Sequence, residues 1–446
     1  MRTWSGATWL RIAFGAWIAL AVAASVKTII EPQLHTVYTA FSHGSRDWWD
    51  GNSLYVDRAY YYSPTFAIAM TPFAIFPDWL GGVFWNLASV GLLAWSLRVF
   101  FRDVLAVPLP PPLGEGRGEG VGSTGASPHP NTLPKGEGTA SALWKPTLGL
   151  LPARSEGLFH LLVLLGTARS VWSGQSNAIL VALVLFAGAA IVRGRWWRGS
   201  FLLAAPVYIK IWPLVAVGLF CVQWPKRLTA RVAICAAALG LVPFLTKPAV
   251  AVLGAYADWY HCLVNRQATQ FRFPGYRDAW TIWEQFESPV DKRAYLILQI
   301  AAGAATLGWC LWQRRRTSSA KRLAIFTIAA WSAWQLLFGP GTERLTYNLI
   351  APALAWGVLT AFDSRRGRIW IAATYVTTYI LGLGGMERLL SGVVPAAVAL
   401  EPIGVLMFTG WLAWHAARSA ESMEFAETST HRDNAGVAAA TRSSAA

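Results

Sequence analysis

The sequence predicts an all-α, polytopic membrane protein, and two features of its composition support this class. Apolar residues make up 54% of the 446 residues and charged residues only 14%, and apolar runs of membrane-spanning length recur along the chain. The formal charge of +15 comes from short clusters of Lys and Arg between those runs, where membrane topology requires them. This distribution argues against nucleic-acid binding.

The first apolar run, at about residues 10–30, predicts a retained span with its amino terminus in the cytoplasm. Arg2 and Arg11 lie at its start, and no small-residue cleavage site follows it. Residues 31–78 then form an outer loop that is dense in ionisable and aromatic side chains. Within that loop, 64–77 contains three prolines and is too short to span, which predicts a re-entrant or interfacial helix.

The next span, at about 79–101, leads into a segment of a different kind. Residues 102–152 contain a degenerate repeat rich in Pro, Gly and Glu, LPPPLGEGRGEG and SPHPNTLPKGEG, which resembles translated bacterial repetitive elements. Such a composition buries too little apolar surface to fold. We therefore divide the chain into 1–101, with the first spans and the outer loop, and 102–152, a disordered cytoplasmic insert.

The remaining membrane region is predicted at 153–418, and the tail at 419–446 is predicted to be disordered and cytoplasmic. A second long outer loop, 247–292, is rich in aromatic and basic residues. The other spans are predicted at about 155–171, 229–246, 293–313, 323–338, 346–362, 369–386 and 400–417. One more span is predicted between the turn SVWSGQSNA and Arg193. The total is about twelve spans.

Three further segments supply polar groups between spans. The turn SVWSGQSNA contains Gln175 and Asn177, and the turn GPGTERLTYN contains Glu343 and Arg344. The apolar run at 200–222 is broken by two prolines around Lys210, which predicts two short helices that meet outside. A single kinked span with a snorkelling lysine is the alternative.

The order of these segments is similar to that of glycosyltransferase family 87. The resemblance rests on WWDGNSLY and YYYSPTFAIAMTPFAIFP in the first outer loop, then SGQSNAILVALVLFA, then a short apolar helix ending in YIKIWP. Each motif is short, but their order and spacing between spans are specific. The similarity covers most of 10–385 apart from the insert.

The resemblance implies a GT-C-like architecture and an enzyme of the bacterial plasma membrane. Such an enzyme moves a hexose, in this family mannose, from a polyprenyl-phosphate sugar to a lipid or glycan acceptor at the extracytoplasmic face, with inversion. The implied partners are the donor, the acceptor and membrane lipids.

The base of this reaction is the point where the chain departs from the family. The resemblance implies an essential Asp shortly before the first Tyr of the loop, but Leu34 and His35 precede Tyr38 here. The candidates are therefore His35, whose neutral imidazole suits proton removal, and the loop carboxylates Asp47 and Asp50. A solvated loop position is the alternative for both carboxylates, and a structural or substrate hydrogen-bonding role is the alternative for His35.

The other candidates divide into a phosphate-binding and a sugar-binding set. Lys210 and Arg344 are expected to neutralise the donor phosphate as it leaves. The sugar or acceptor is expected to contact aromatic, amide and acidic side chains, namely Tyr38, Trp49, Tyr61, Tyr62, Gln175, Asn177 and Glu343. The alternatives are a helix cap and interhelical hydrogen bonds for Gln175 and Asn177, and an ion pair with Arg344 for Glu343.

No cofactor is indicated. The four cysteines have no paired spacing and no metal-ligand cluster is evident, so a divalent metal is possible but not indicated. Two other functions stay open. A transporter of lipid or sugar would commonly carry internal repeats, which these spans lack, and a catalytically degenerate family member would explain the missing Asp.

Overall fold

A computed structural model of the chain describes residues 5–34, 36–55, 60–107, 150–269, 275–286, 291–361, 365–382, 384–393 and 395–418. The predicted tail 419–446 and most of the predicted insert 102–152 lie outside these ranges, as does His35. The described residues are helical, and their β-structure consists of two isolated bridges, Ala106 to Leu151 and Tyr276 to Glu343.

The α-helices follow one another along the whole described chain. They are α1 (Gly6–Ile30), α2 (Tyr38–Asp50), α3 (Pro64–Ala69), α4 (Thr71–Ala74), α5 (Asp78–Phe100), α6 (Glu156–Trp172), α7 (Asn177–Val192), α8 (Trp196–Ile209), α9 (Leu214–Gln223), α10 (Pro225–Leu241), α11 (Ala249–Thr269), α12 (Ala279–Glu284), α13 (Lys292–Arg316), α14 (Ala320–Phe338), α15 (Ala351–Thr360), α16 (Arg365–Val376), α17 (Gly384–Ser391) and α18 (400–418).

Short helical turns of other types extend or join these elements. They are π-helical at Phe101–Leu105 and Thr377–Leu381, and 3-10 helical at Ala153–Ser155, Val242–Leu245, Arg344–Leu349 and Pro395–Ala399.

Five stretches are long and apolar enough to cross a membrane, by length and composition. They are Gly6–Ile30, Asp78–Leu105, Pro225–Leu245, Lys292–Arg316 and Ala396–Arg418. Three shorter apolar helices are α7, α9 and α15. A ten-residue helix such as α15 rises only about 15 Å, half of a hydrocarbon core. The count of about twelve spans is therefore not confirmed.

Two of the predicted local structures are present, and one differs. The Pro-rich segment 64–77 forms the short helices α3 and α4, and the break predicted at Lys210 separates α8 from α9. The second long outer loop, 247–292, instead contains the 21-residue helix α11. The residues of α11 include many aromatic and polar side chains, a composition that is typical of loops. Their backbone is nevertheless helical.

The core is organised around α7. Nearly all of its side chains are buried, and it packs against α5, α8 and α14. A helix that is apolar on every side is favoured at the centre of a bundle. Its first residue, Asn177, is polar and buried. The amino end of this central helix therefore places a polar side chain inside the bundle.

Candidate active site

A cavity of about 370 Å³ opens beside the amino end of α7. Its walls come from the first outer loop, the turn before α7, the break between α8 and α9, helices α11 to α13 and the turn after α14. The lining residues are Val37, Tyr61, Tyr62, Gln175, Lys210, Ile211, Trp212, Leu263, Tyr276, Asp278, Trp280, Tyr295, Gln299, Gly339, Pro340, Gly341, Glu343 and Thr346.

Lys210 is the cation of this cavity that lies in the helix break. Its backbone is extended, with φ −140° and ψ 142°, because Pro213 has no N–H to continue the helical hydrogen bonding and its ring excludes a helical turn before it. Its ammonium group donates to Asn177 Oδ1 at 2.7 Å and to Gln175 Oε1 at 3.4 Å. Two neutral amide oxygens therefore accept hydrogen bonds from the ammonium group and fix its position.

The turn that carries these amides is fixed from two sides. Gly174 adopts a positive φ of 61°, and its carbonyl accepts a hydrogen bond from Trp85 Nε1 at 2.9 Å. The backbone N–H of Val37 donates to Ser173 O at 3.0 Å. Asn177 Nδ2 donates to Leu345 O at 2.9 Å. The turn thus links the first outer loop to the 3-10 helix at Arg344–Leu349.

Tyr61 and Tyr62 form the aromatic part of the wall from the first outer loop. The Tyr61 carbonyl accepts from Trp259 Nε1 at 3.2 Å and the Tyr62 carbonyl from Tyr55 Oη at 2.9 Å. Ser63, the next residue, donates to Tyr208 O at 2.5 Å. These contacts tie the loop to α8 and α11.

Another part of the wall comes from two segments, one before α12 and one after α14, that are joined by a β-bridge. Tyr276 pairs with Glu343 in an antiparallel bridge, and Arg277 N donates to Thr342 O at 2.7 Å. Asp278 follows directly and begins α12, where Thr281 N donates to its Oδ1 at 3.3 Å. These two segments bring two carboxylates, Asp278 and Glu343, to the cavity that Lys210 also lines.

Arg344 is next to this wall but is paired elsewhere. Its Nε lies 3.7 Å from Glu401 Oε2, and both side chains are largely buried. Tyr347, on the same 3-10 helix, donates its hydroxyl to Arg277 O at 2.8 Å. These contacts fix the turn that presents Glu343.

Comparison with known families assigns the chain. The family model of glycosyltransferase family 87 matches residues 60–340, more than half of the sequence. The chain belongs to this family. A search of the curated proteins finds no match. With its apolar helices, the protein is a membrane glycosyltransferase of family 87, and the suspected resemblance is confirmed.

Five of the residues predicted for the site of this glycosyltransferase line one cavity: Tyr61, Tyr62, Gln175, Lys210 and Glu343. Asn177 joins them through its hydrogen bond to Lys210. These residues come from four separate segments of the sequence.

Other predicted residues of the transferase lie outside the cavity wall, and His35 lies outside the described residues. Tyr38 is buried and donates its hydroxyl to Phe73 O at 3.0 Å. Trp49 is half exposed and donates to Thr71 Oγ1 at 2.8 Å. Buried Asp47 accepts from Asn52 Nδ2 at 3.3 Å, and Asp50 is exposed.

Several residues of the wall are not predicted from the sequence. They are Trp212, Tyr276, Asp278, Trp280 and Gln299. For Asp278 the available signal was the D-x-x-T spacing before an apolar run, which is an amino-terminal helix cap. That signal predicts a helix start but not the cavity that the cap faces. Among the described residues, no group of three His, Cys, Asp or Glu is placed to hold a metal ion.

Proposed function

We propose that this family 87 glycosyltransferase moves a hexose, with mannose as the first sugar to test, from a polyprenyl-phosphate donor to a lipid or glycan acceptor at the extracytoplasmic face of the bacterial plasma membrane. The observation that carries the proposal is Lys210. Its charge lies in a helix break, at a cavity, and is held by two amide oxygens.

Lys210 suits a phosphate that becomes a leaving group. When the sugar–phosphate bond breaks, negative charge grows on the phosphate, so a fixed cation stabilises the transition state more than the ground state. Gln175 and Asn177 hold the ammonium group before the donor arrives. No reorganisation of the lysine is then needed during the reaction.

The aromatic wall suits a sugar. Tyr61 and Tyr62 offer ring faces against which the C–H surface of a pyranose packs, and Tyr276 and Trp280 line the same cavity. Such an apolar wall with a few polar groups is typical of small-ligand sites. Glu343 is proposed to accept hydrogen bonds from sugar or acceptor hydroxyls. Arg344, paired with Glu401, is proposed to add positive potential behind this wall.

The first prediction is that Lys210→Ala strongly lowers the rate of sugar transfer. The measurement is transfer of labelled mannose from polyprenyl-phosphate-mannose to endogenous lipid in membranes that contain the protein. Loss of one preorganised charged group at a transition state lowers kcat by about 10²–10³-fold.

Lys247→Ala is the matched control. Lys247 is a second lysine, and its Nζ lies 4.7 Å from the Trp48 ring centroid. It is not part of the cavity wall. We expect its transfer rate to equal that of the wild type. Equal activity of Lys210→Ala and wild type would refute the proposed role of Lys210. Wild type that binds the donor without turnover would indicate a degenerate enzyme, and lipid movement without product would indicate a transporter.

A further inference from the structure

The cavity contains a buried carboxylate that the first outer loop does not supply. Asp278 lines the same cavity as Lys210 and is only 8% exposed. By contrast, Asp47 and Asp50 of the first outer loop lie outside the wall, and Asp50 is exposed. The resemblance implies a base in that loop, at a position where this chain has Leu34 and His35.

The backbone that carries Asp278 is held on both sides. Arg277 N donates to Thr342 O at 2.7 Å, and Arg277 O accepts from Tyr347 Oη at 2.8 Å. On the helix side, Thr281 Oγ1 donates to Tyr276 O at 3.1 Å. A group that acts in a transition state needs such fixed placement.

The cap leaves the carboxylate able to accept further hydrogen bonds. Asp278 Oδ1 receives the backbone N–H of Thr281 at 3.3 Å. An ionised carboxylate has two oxygens with about four acceptor sites in all. The capacity to take a hydroxyl of a bound acceptor is therefore retained.

The surroundings of Asp278 make it a stronger base than an exposed carboxylate. Burial raises the pKa of its carboxyl to about 6, against the lowering effect of backbone N–H donors from Thr281 and Trp280, and Glu284 raises it further. Tyr295 from α13 and Tyr347 from the 3-10 helix are the other titratable groups that interact with it. Lys210 and Glu343 are the further charged groups that line the same cavity. A base with a pKa near the working pH is the most effective one.

We infer that Asp278 is the general base of the transfer, an inference that rests on the proposed function. The carboxylate removes the proton from the acceptor hydroxyl, and the acceptor oxygen forms the new bond to the sugar C1. The bond between C1 and the phosphate oxygen breaks, and its electron pair leaves with the lipid phosphate beside Lys210. The proton on Asp278 then passes to water.

The test compares Asp278→Asn with Asp291→Asn in the full-length protein. Asn caps a helix as well as Asp does, so α12 and α13 are both preserved. Asp291 caps α13, where it accepts from Arg293 N at 3.1 Å, but it is exposed and is not part of the wall. With polyprenyl-phosphate-mannose as donor, Asp278→Asn lowers kcat by about 10²–10⁴-fold with unchanged donor binding, and Asp291→Asn transfers at the wild-type rate.

The pH profile separates a catalytic role from a structural one. Because the ionised carboxylate is the active form, kcat/KM of the wild type rises with pH and levels off above about 6, whereas the residual activity of Asp278→Asn lacks this limb. An active Asp278→Asn variant with the wild-type profile would overturn the inference alone. Wild type that transfers no sugar would overturn the proposed function, and the inference with it.

Discussion

At the scale of single residues, the proposed site depends on Lys210 at the break between α8 and α9. The two prolines around Lys210 are visible in the sequence, so the break itself could be predicted from the chain. The contact from Lys210 to Asn177 could not, because the two residues are 33 positions apart. It depends on how α7 and α8 pack, which local patterns do not encode.

A substitution at Gly174 tests whether the turn before α7 must keep its shape. An added Cβ would lie 2.7 Å from Thr36 Oγ1 and 3.4 Å from Tyr38 Cβ. Ala at a positive φ also costs about 1–2 kcal/mol of backbone energy. We expect Gly174→Ala to lower the thermal unfolding temperature in detergent and to weaken donor binding, because Gln175 would shift away from Lys210.

Gly51→Ala separates the two costs. Gly51 also has a positive φ, 82°, but an added Cβ meets nothing within 4 Å, so this variant carries the backbone cost alone. Gly174→Ala should lose about 1–3 kcal/mol more than Gly51→Ala, from overpacking. Equal destabilisation of the two would show that the turn tolerates a side chain.

At the scale of whole elements, residues at the two ends of the predicted insert, 102–152, are paired with each other. Val107 N donates to Leu151 O at 3.0 Å and Leu151 N to Leu105 O at 2.7 Å, in a parallel bridge. The composition of 102–152 predicted the insert, but its edges could not be predicted. The helix after α5 continues as a π-turn to Leu105, and this bridge joins residues separated by the whole repeat.

The parallel bridge sets the length of any replacement for residues 108–149. Two parallel segments cannot be joined by a two-residue turn and need a connection of about a dozen residues. We expect a 12-residue Gly/Ser linker, about the length that this rule requires, to preserve the thermal unfolding temperature and sugar transfer. A two-residue Gly-Gly linker should lower both. Loss of activity with the long linker would show that the replaced residues contribute to function.

The molecule as a whole combines a fold that composition predicts with a site that it predicts only in part. Apolar content and motif order predict a helical membrane glycosyltransferase. The number of spans is harder to predict from the sequence, because short helices such as α9 and α15 are apolar yet too short to span a membrane alone. The place of Asp278 in the cavity wall could not be predicted, because a helix cap has the same sequence whether or not it faces a cavity.

A second cluster of polar residues offers a rival location for the donor. Asp78 accepts from Ser42 Oγ at 3.0 Å and pairs with Arg46 at 2.8 Å and with His43 at 3.3 Å. None of these residues is part of the cavity wall. In this cluster Arg46 is paired with Asp78 away from the cavity, whereas Lys210 lines the cavity of about 370 Å³, where a ligand has room to bind. A phosphate is therefore expected at Lys210.

Photo-cross-linking of a polyprenyl-phosphate-mannose analogue with a diazirine next to the phosphate locates the donor most directly. The label is expected in peptides that contain Lys210 and Gln175, and unlabelled donor should compete it away. Lys210→Ala should lose this label, and Lys247→Ala should keep it. Specific labelling confined to the cluster around Asp78 would contradict the assignment of the cavity at Lys210 as the site of sugar transfer.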